Sequence, residues 1–236
     1  MKIRWRTIPD GIVELSFDDG GTWSVPTVVD DDILMRAGMA RFHTIIEDHA
    51  ARTGVPSSWL YGMAYTESRF NPAAVNRRDS PAGLGILQIT DPDLYLMRGF
   101  TADDMLDPDK NVQVASEVLR NHRRSSTELI VVASLYNAGG FARKDSAGKI
   151  VRDVDGHALF SPHPSTTSPF GIRETAGHIL TVVRGNNAAI LITRSTTEPS
   201  FDVGAVLALQ AATLKKTTED EIDAARGVDD DEEGES

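Results

Sequence analysis

The hydrophobic period of this chain changes once, near residue 31, and that change limits the possible folds more than any composition figure does. Before it, "IRWRTI" and "IVELSF" alternate apolar with polar residues, "PDG" separates them, and "DDGG" and "TWSV" follow. Period-2 alternation broken by Gly and Asp turns is the pattern of a small β-hairpin. After it the period is helical. In "DDILMRAGMARFHTIIEDHAARTG" the apolar positions Ile33, Leu34, Ala37, Ala40, Ile45 and Ile46 recur at helical spacing. Acids open that segment and Gly54 closes it. "VPSSWLYGMAYTESRF" opens a second helix, with Pro56 ahead and Ser57 or Ser58 as the expected N-cap. "DPDKNVQVASEVLRNHRR", "STELIVVASLYNAG" and "GIRETAGHILTVVRG" read as later helices.

The expected fold class is mainly α (α+β), divided as follows. Residues 1–30 form an N-terminal β-hairpin module, and 31–186 a helical domain with a Gly-, Pro- and Ser-rich inserted loop at 141–170. Residues 187–216 form a C-terminal extension in which a strand precedes a helix, and 217–236 an acidic tail. A turn is expected at Asp155-Gly156. The 236 residues suffice for one substantial domain with appendages. The net charge of −11 is concentrated in the tail, whose ten acids and one Arg carry −9 and leave −2 for everything else. Such a tail has little to bury and is expected to be disordered. With no basic patch, nucleic acid is not an expected partner.

The chain has no Cys, which excludes disulfides, thiolate metal sites and Cys nucleophiles. The six His show no H-x-x-x-H spacing, so neither metal nor cofactor is expected. No window reaches the roughly 18 apolar residues of a membrane span. The opening "MKIRWRTIPDGIVELSF" lacks the apolar core of a secretory signal. "SFDDGGTW" is similar to an Asp-box hairpin of sialidase-like propellers, but no second copy follows, and a propeller needs several blades.

Three segments could carry chemistry. Glu67 falls near the C-terminal end of the second helix, with Leu60, Met63, Ala64 and Phe70 around it at helical spacing. The negative end of the helix dipole and an apolar setting both favour the protonated carboxyl that a general acid needs. A solvated or capping Glu explains the same letters. In "AGLGILQIT", Gly83 and Gly85 permit close backbone approach, and Gln88 brings an amide into an apolar run. That amide suits an N-acetyl group on a sugar, or equally a neighbouring backbone carbonyl. "SLYNAGG" ends a helix, and Tyr136 and Asn137 there offer a hydroxyl and an amide; Asn-Ala-Gly-Gly is also a plain helix stop.

Taken together, in order, these segments resemble the lytic transglycosylases and goose-type lysozymes. Glu67-Ser68-x-Phe70-x-Pro72-x-Ala74 is similar to the family's E-S-x-F-x-P-x-A signature, and "AGLGILQI" to its G-x-x-G-L-M-Q-[IL] loop, with Ala82 where Gly is usual. "DPDKNVQVASEVL" resembles the N-I-x-x-G-x-x-Y-L helix with Asn111 in place. "LYNAGG" resembles A-Y-N-A-G, and "ETAGHI" a divergent E-T-x-x-Y-V. The resemblance spans roughly residues 40–183. It implies a lysozyme-like helical domain that cleaves the β-1,4 bond between N-acetylmuramic acid and N-acetylglucosamine in peptidoglycan. It implies Glu67 as catalytic acid/base, Ser68 as its orienting neighbour, Gln88 as reader of an N-acetyl group, and Tyr136 and Asn137 as groove-lining residues. A transglycosylase needs one acid, because the substrate's acetamido group and C6 hydroxyl serve as nucleophiles, giving 1,6-anhydro products.

Two other outcomes remain at this stage. Hydrolysis, as in a goose-type lysozyme, would need a second carboxylate, for which Asp79, Asp91 and Asp93 are the candidates; acids beside Pro92 also commonly open a turn or helix. An inactive sugar-binding or virion assembly protein is the other. The expected partners are peptidoglycan glycan strands, together with proteins of a phage virion or a secretion apparatus. The expected place of action is the bacterial cell wall, reached without a signal peptide, with local host-wall penetration by a phage particle as one route.

Overall fold

The computed structural model describes residues 4–16, 20–27, 32–77, 81–138, 145–152, 156 and 171–195, with backbone alone for 171–176 and 138. The first period of the sequence gives β1 (Arg4–Thr7) and β2 (Val13–Ser16), an antiparallel pair in which Trp5 faces Leu15. A 3-10 turn at Pro9–Gly11 joins them, and Asp10 and Gly11 take positive φ there. A single bridge from Leu15 to Ser24 continues the pairing.

The second period gives six α-helices among the described residues: α1 (Asp32–Thr53), α2 (Ser57–Ser68), α3 (Pro92–Leu96), α4 (Pro108–Arg123), α5 (Leu129–Ala138) and α6 (Gly171–Ser195). The N-cap of α2 is Pro56, with no side-chain capping bond, rather than either expected serine. The fixed φ of proline pre-forms the entry, and both serines sit inside the first turn. Between α2 and α3, β3 (Val75–Asn76) pairs with β4 (Gly83–Leu84) in a two-residue antiparallel ladder.

The core is built around α2, which is buried at every position from Trp59 to Tyr65. Its most extensive partner is α6, and α1 packs beside both. The α2–α6 crossing is a glycine-on-glycine contact. A Cβ on Gly62 would lie 2.7 Å from the Asn186 nitrogen and the Val182 oxygen, and one on Gly185 would lie 2.8 Å from the Gly62 Cα. Only the absence of both side chains lets these backbones meet.

α6 corrects one expectation from the sequence. Residues 188–195, read as the strand opening an extension, continue the helix to Ser195. The β-branched run "AILIT" suggested a strand, but it lies on a helix with Ala188, Ala189 and Ile192 buried. The buried pair Asn186-Asn187 reads the N-terminal hairpin. The Val13 amide donates to Asn187 Oδ1 at 2.9 Å, and Asn187 Nδ2 donates to the Val13 and Pro26 carbonyls at 2.8 and 2.9 Å. Asn186 Nδ2 donates to the Gly11 carbonyl at 3.2 Å. The Trp5 indole donates to Glu128 at 3.0 Å. Trp5, Val13 and Leu15 join the same core as the helices, so the hairpin and the helices form one compact unit, residues 1–197. No helix among the described residues is long and apolar enough to cross a membrane. The acidic tail and most of the 141–170 segment lie outside the described residues.

Candidate active site

Glu67 is the penultimate residue of α2, which ends with two successive residues in the left-handed region, Arg69 (φ 54°) and Phe70 (φ 60°). The Arg69 amide donates to the Tyr65 carbonyl and the Phe70 amide to the Ala64 carbonyl. Positive φ is costly for a bulky residue. Phe70 holds it because its ring is buried against α1, where a Cβ on Gly38 would come within 2.2 Å of the ring. The ring also stacks on Phe42, with centroids 6.4 Å apart. The helix end that carries Glu67 is thus fixed by a wedge in the core.

The segment 83–89 is held just as firmly, by backbone groups bonded from three directions. From α4, buried Asn111 accepts from the Leu87 amide at 2.9 Å and donates to the Leu84 and Met105 carbonyls, both at 2.9 Å. From α2, the Ser68 hydroxyl donates to the Ile86 carbonyl at 2.8 Å and accepts from the Asn71 amide at 3.1 Å. From α5, the Tyr136 hydroxyl donates to the Leu87 carbonyl at 2.6 Å. Gly85 is required on two counts. Its φ is +74°, and a Cβ there would stand 2.0 Å from the Met105 carbonyl and 2.4 Å from Asn111 Nδ2.

Ser68, Gln88 and Tyr136 are therefore joined through this segment, with the Glu67 charge near Tyr136, and their side chains are engaged in particular ways. Ser68 has one hydroxyl proton, and it goes to the Ile86 carbonyl, so Ser68 positions the end of α2 through the backbone. The Gln88 amide donates to the Ala74 and Gly85 carbonyls at 3.2 and 2.7 Å. That leaves Oε1, which lies beside Gly83, as the Gln88 atom able to meet a ligand. Gln88 itself takes φ 47°. Tyr136 is partly buried, and its phenol is pushed well above the usual range by burial and then by the nearby Glu67 charge. It stays a neutral donor. Asn137, next along α5, is exposed.

Of the three candidate second carboxylates, Asp91 is the N-cap of α3, accepting from the Asp93 amide at 3.0 Å. Asp93 is exposed in the first turn of the same helix. Asp79 lies outside the described residues. Among the described residues no group of three His, Cys, Asp or Glu side chains could hold a metal ion.

One residue at the site has no counterpart in the expectations drawn from the sequence. His178, on α6, places Nε2 3.6 Å from Glu67 Oε1; the two side chains are 9% and 15% exposed. Burial lowers its pKa to about 4, so the ring is neutral above that pH. Nε2 has no hydrogen-bond partner among the described residues. The one signal in the sequence was its place in "ETAGHI", at the position where the E-T-x-x-Y-V pattern has Tyr.

Residues 44–157 match the family model described as the transglycosylase SLT domain. That match covers a little under half of the chain and makes this region similar to transglycosylase SLT domains. The matched region contains Glu67, Ser68, Gln88, Asn111, Tyr136 and Asn137, while the hairpin and His178 lie outside it. Curated relatives include the membrane-bound lytic murein transglycosylase C of Yersinia pestis (strain Pestoides F) and of Yersinia pseudotuberculosis (serotype IB, strain PB1/+). Each is 26% identical over 128 residues, covering 48% of this chain and 33% of the relative. The chain thus spans about a third of the length of the curated relatives it matches.

Proposed function

We propose that this chain is a peptidoglycan lytic transglycosylase acting at the bacterial cell wall, with Glu67 as its single acid/base. The observation that carries the reading is the setting of Glu67. It is a largely buried carboxylate at a fixed helix end, inside an SLT domain, and the described candidates for a second carboxylate sit on α3, where Asp91 is used as a cap. In this reading Glu67 gives its proton to the glycosidic oxygen of the β-1,4 bond as the C1–O bond breaks. The 2-acetamido group of the N-acetylmuramic acid residue stabilises C1. The C6 hydroxyl then attacks C1 and its proton passes to Glu67, which closes a 1,6-anhydro ring and restores the acid without consuming water. Gln88 Oε1 and Asn137 serve as polar contacts for the glycan strand, and Ser68 and Tyr136 hold the 83–89 segment in register.

Mass spectrometry of muropeptides released from purified sacculi tests this. Wild type should give 1,6-anhydro ends. Glu67→Gln should slow release by about 10²–10⁴-fold, the usual contribution of a general acid, while still binding sacculi. Reducing ends would instead mean hydrolysis. Binding without release by wild type would mean a sugar-binding protein.

A further inference from the structure

His178 does not belong to the one-acid scheme above, yet its ring nitrogen stands closer to that acid than the scheme requires. A buried ring nitrogen with no partner costs free energy, and natural structures leave few of them. Glu67 Oε1 stands 3.6 Å from Nε2, a few tenths of an ångström beyond hydrogen-bond length. Contacts of this kind tighten when substrate is bound. The fold brings the ring there through the helix crossing: the Gly62–Gly185 contact lets α6 run against α2, and His178 then falls opposite the α2 end. The described titratable groups around the contact are Glu67 from α2 and Tyr136 from α5.

We propose that His178 is a positioning residue for Glu67: its Nε2–H closes onto Oε1 and holds the carboxyl so that the other oxygen carries the transferable proton. This rests on reading Glu67 as the acid/base. A neutral ring is what the role requires. An imidazolium so close would hold Glu67 as the anion and remove the proton it must give, whereas a neutral N–H fixes the carboxyl and favours the anion only weakly. Burial keeps the ring neutral across the range where such an enzyme works.

Two measurements on the full chain test it. The first is ¹⁵N NMR of the imidazole across pH 5–8, in wild type and Glu67→Gln. The expected result is a neutral ring protonated at Nε2, whose Nε2 resonance moves in Glu67→Gln. A ring protonated only at Nδ1, or one indifferent to Glu67→Gln, overturns the proposal. The second is the pH profile of muropeptide release. His178→Phe should lower kcat about tenfold to hundredfold, the size of one hydrogen bond to a charged group, with KM little changed. The pH at which activity falls on the alkaline side should move up. His178→Gln, which can still place an N–H near Oε1, should recover most of the rate and the wild-type profile. Equal losses in both variants, or no change in either, overturn it. If wild type releases no muropeptides, the enzymatic reading fails, and the NMR result still decides whether His178 and Glu67 are coupled.

Discussion

Two regions of this molecule bury polar side chains between helices, and they do so in opposite ways. Asn111, which clamps the 83–89 segment, and Asn187, which clamps the hairpin, each bond backbone groups through both amide atoms. At the Glu67–His178 junction a buried ring nitrogen instead stands just short of hydrogen-bond distance from the Glu67 carboxylate. Satisfied buried amides specify geometry, whereas an unsatisfied group beside an acid stores the capacity to respond to substrate. The comparison predicts that the clamps, when cut, fail as structure, and that the junction fails as chemistry.

Asn111→Ala should give the largest loss of stability. It would strand the buried Leu87 amide and remove a donor from the Leu84 and Met105 carbonyls. The expected cost is about 3–5 kcal/mol, with two or more buried groups left unpaired at about 1–3 kcal/mol each. Urea denaturation of wild type and variant measures it. A cost below about 1 kcal/mol would mean that the clamp is not what holds the segment, and the contrast between the two regions would collapse.

His178 makes a smaller, pH-dependent prediction. Its pKa in the folded chain lies near 4, below the unfolded value of 6.5, so the unfolded chain takes up the proton first as pH falls. The stability associated with the neutral buried ring is therefore full above about pH 6.5, declines through the window from 6.5 to about 4, and is level below it. The whole window amounts to at most about 3–4 kcal/mol, since each tenfold difference in proton affinity between the folded and unfolded chains is worth about 1.4 kcal/mol, and an ionised Glu67 offsets part of it. His178→Phe should lack this slope. The stability difference between the two proteins, measured from urea melts at about pH 7 and pH 4, isolates it because the carboxylates elsewhere titrate alike in both. Parallel curves would mean that the ring is not held neutral by burial.

The clamps and the junction also differ in how far the sequence reveals them. Helix positions, the hairpin and the placing of Glu67 at a helix end follow from local period and stop signals, which neighbouring residues carry themselves. Glu67 and His178 are 111 positions apart (178 less 67), and their contact depends on a glycine crossing whose two halves, Gly62 and Gly185, look like ordinary weak points in helices. Gln88 was ambiguous for a related reason: an amide in an apolar run must find a partner, and only the fold shows that its N–H groups go to Ala74 and Gly85. The Asn186-Asn187 pair is the same lesson from the other side. The β-branched run after them reads as a strand, yet packing against the hairpin carries the helix through both asparagines.

The smallest predicted effect separates the one-acid scheme from hydrolysis. Asp91 accepts a bond from the Asp93 amide at the start of α3, so Asp91→Ala should cost about 1 kcal/mol, the usual loss for a missing N-cap. If Glu67 acts alone, muropeptide release by this variant should stay within about twofold of wild type, a change in barrier of under about 0.5 kcal/mol. If Asp91 instead activates water, the same variant should lose a general base, about 10²-fold or more in rate, with reducing ends disappearing from the wild-type pattern. Asp91→Asn sharpens the test, because an amide oxygen can still cap the helix but cannot take a proton. A variant that keeps the cap, keeps its stability and loses the reaction would move Asp91 from the scaffold to the chemistry, and would make the junction on α2 only half of the catalytic pair.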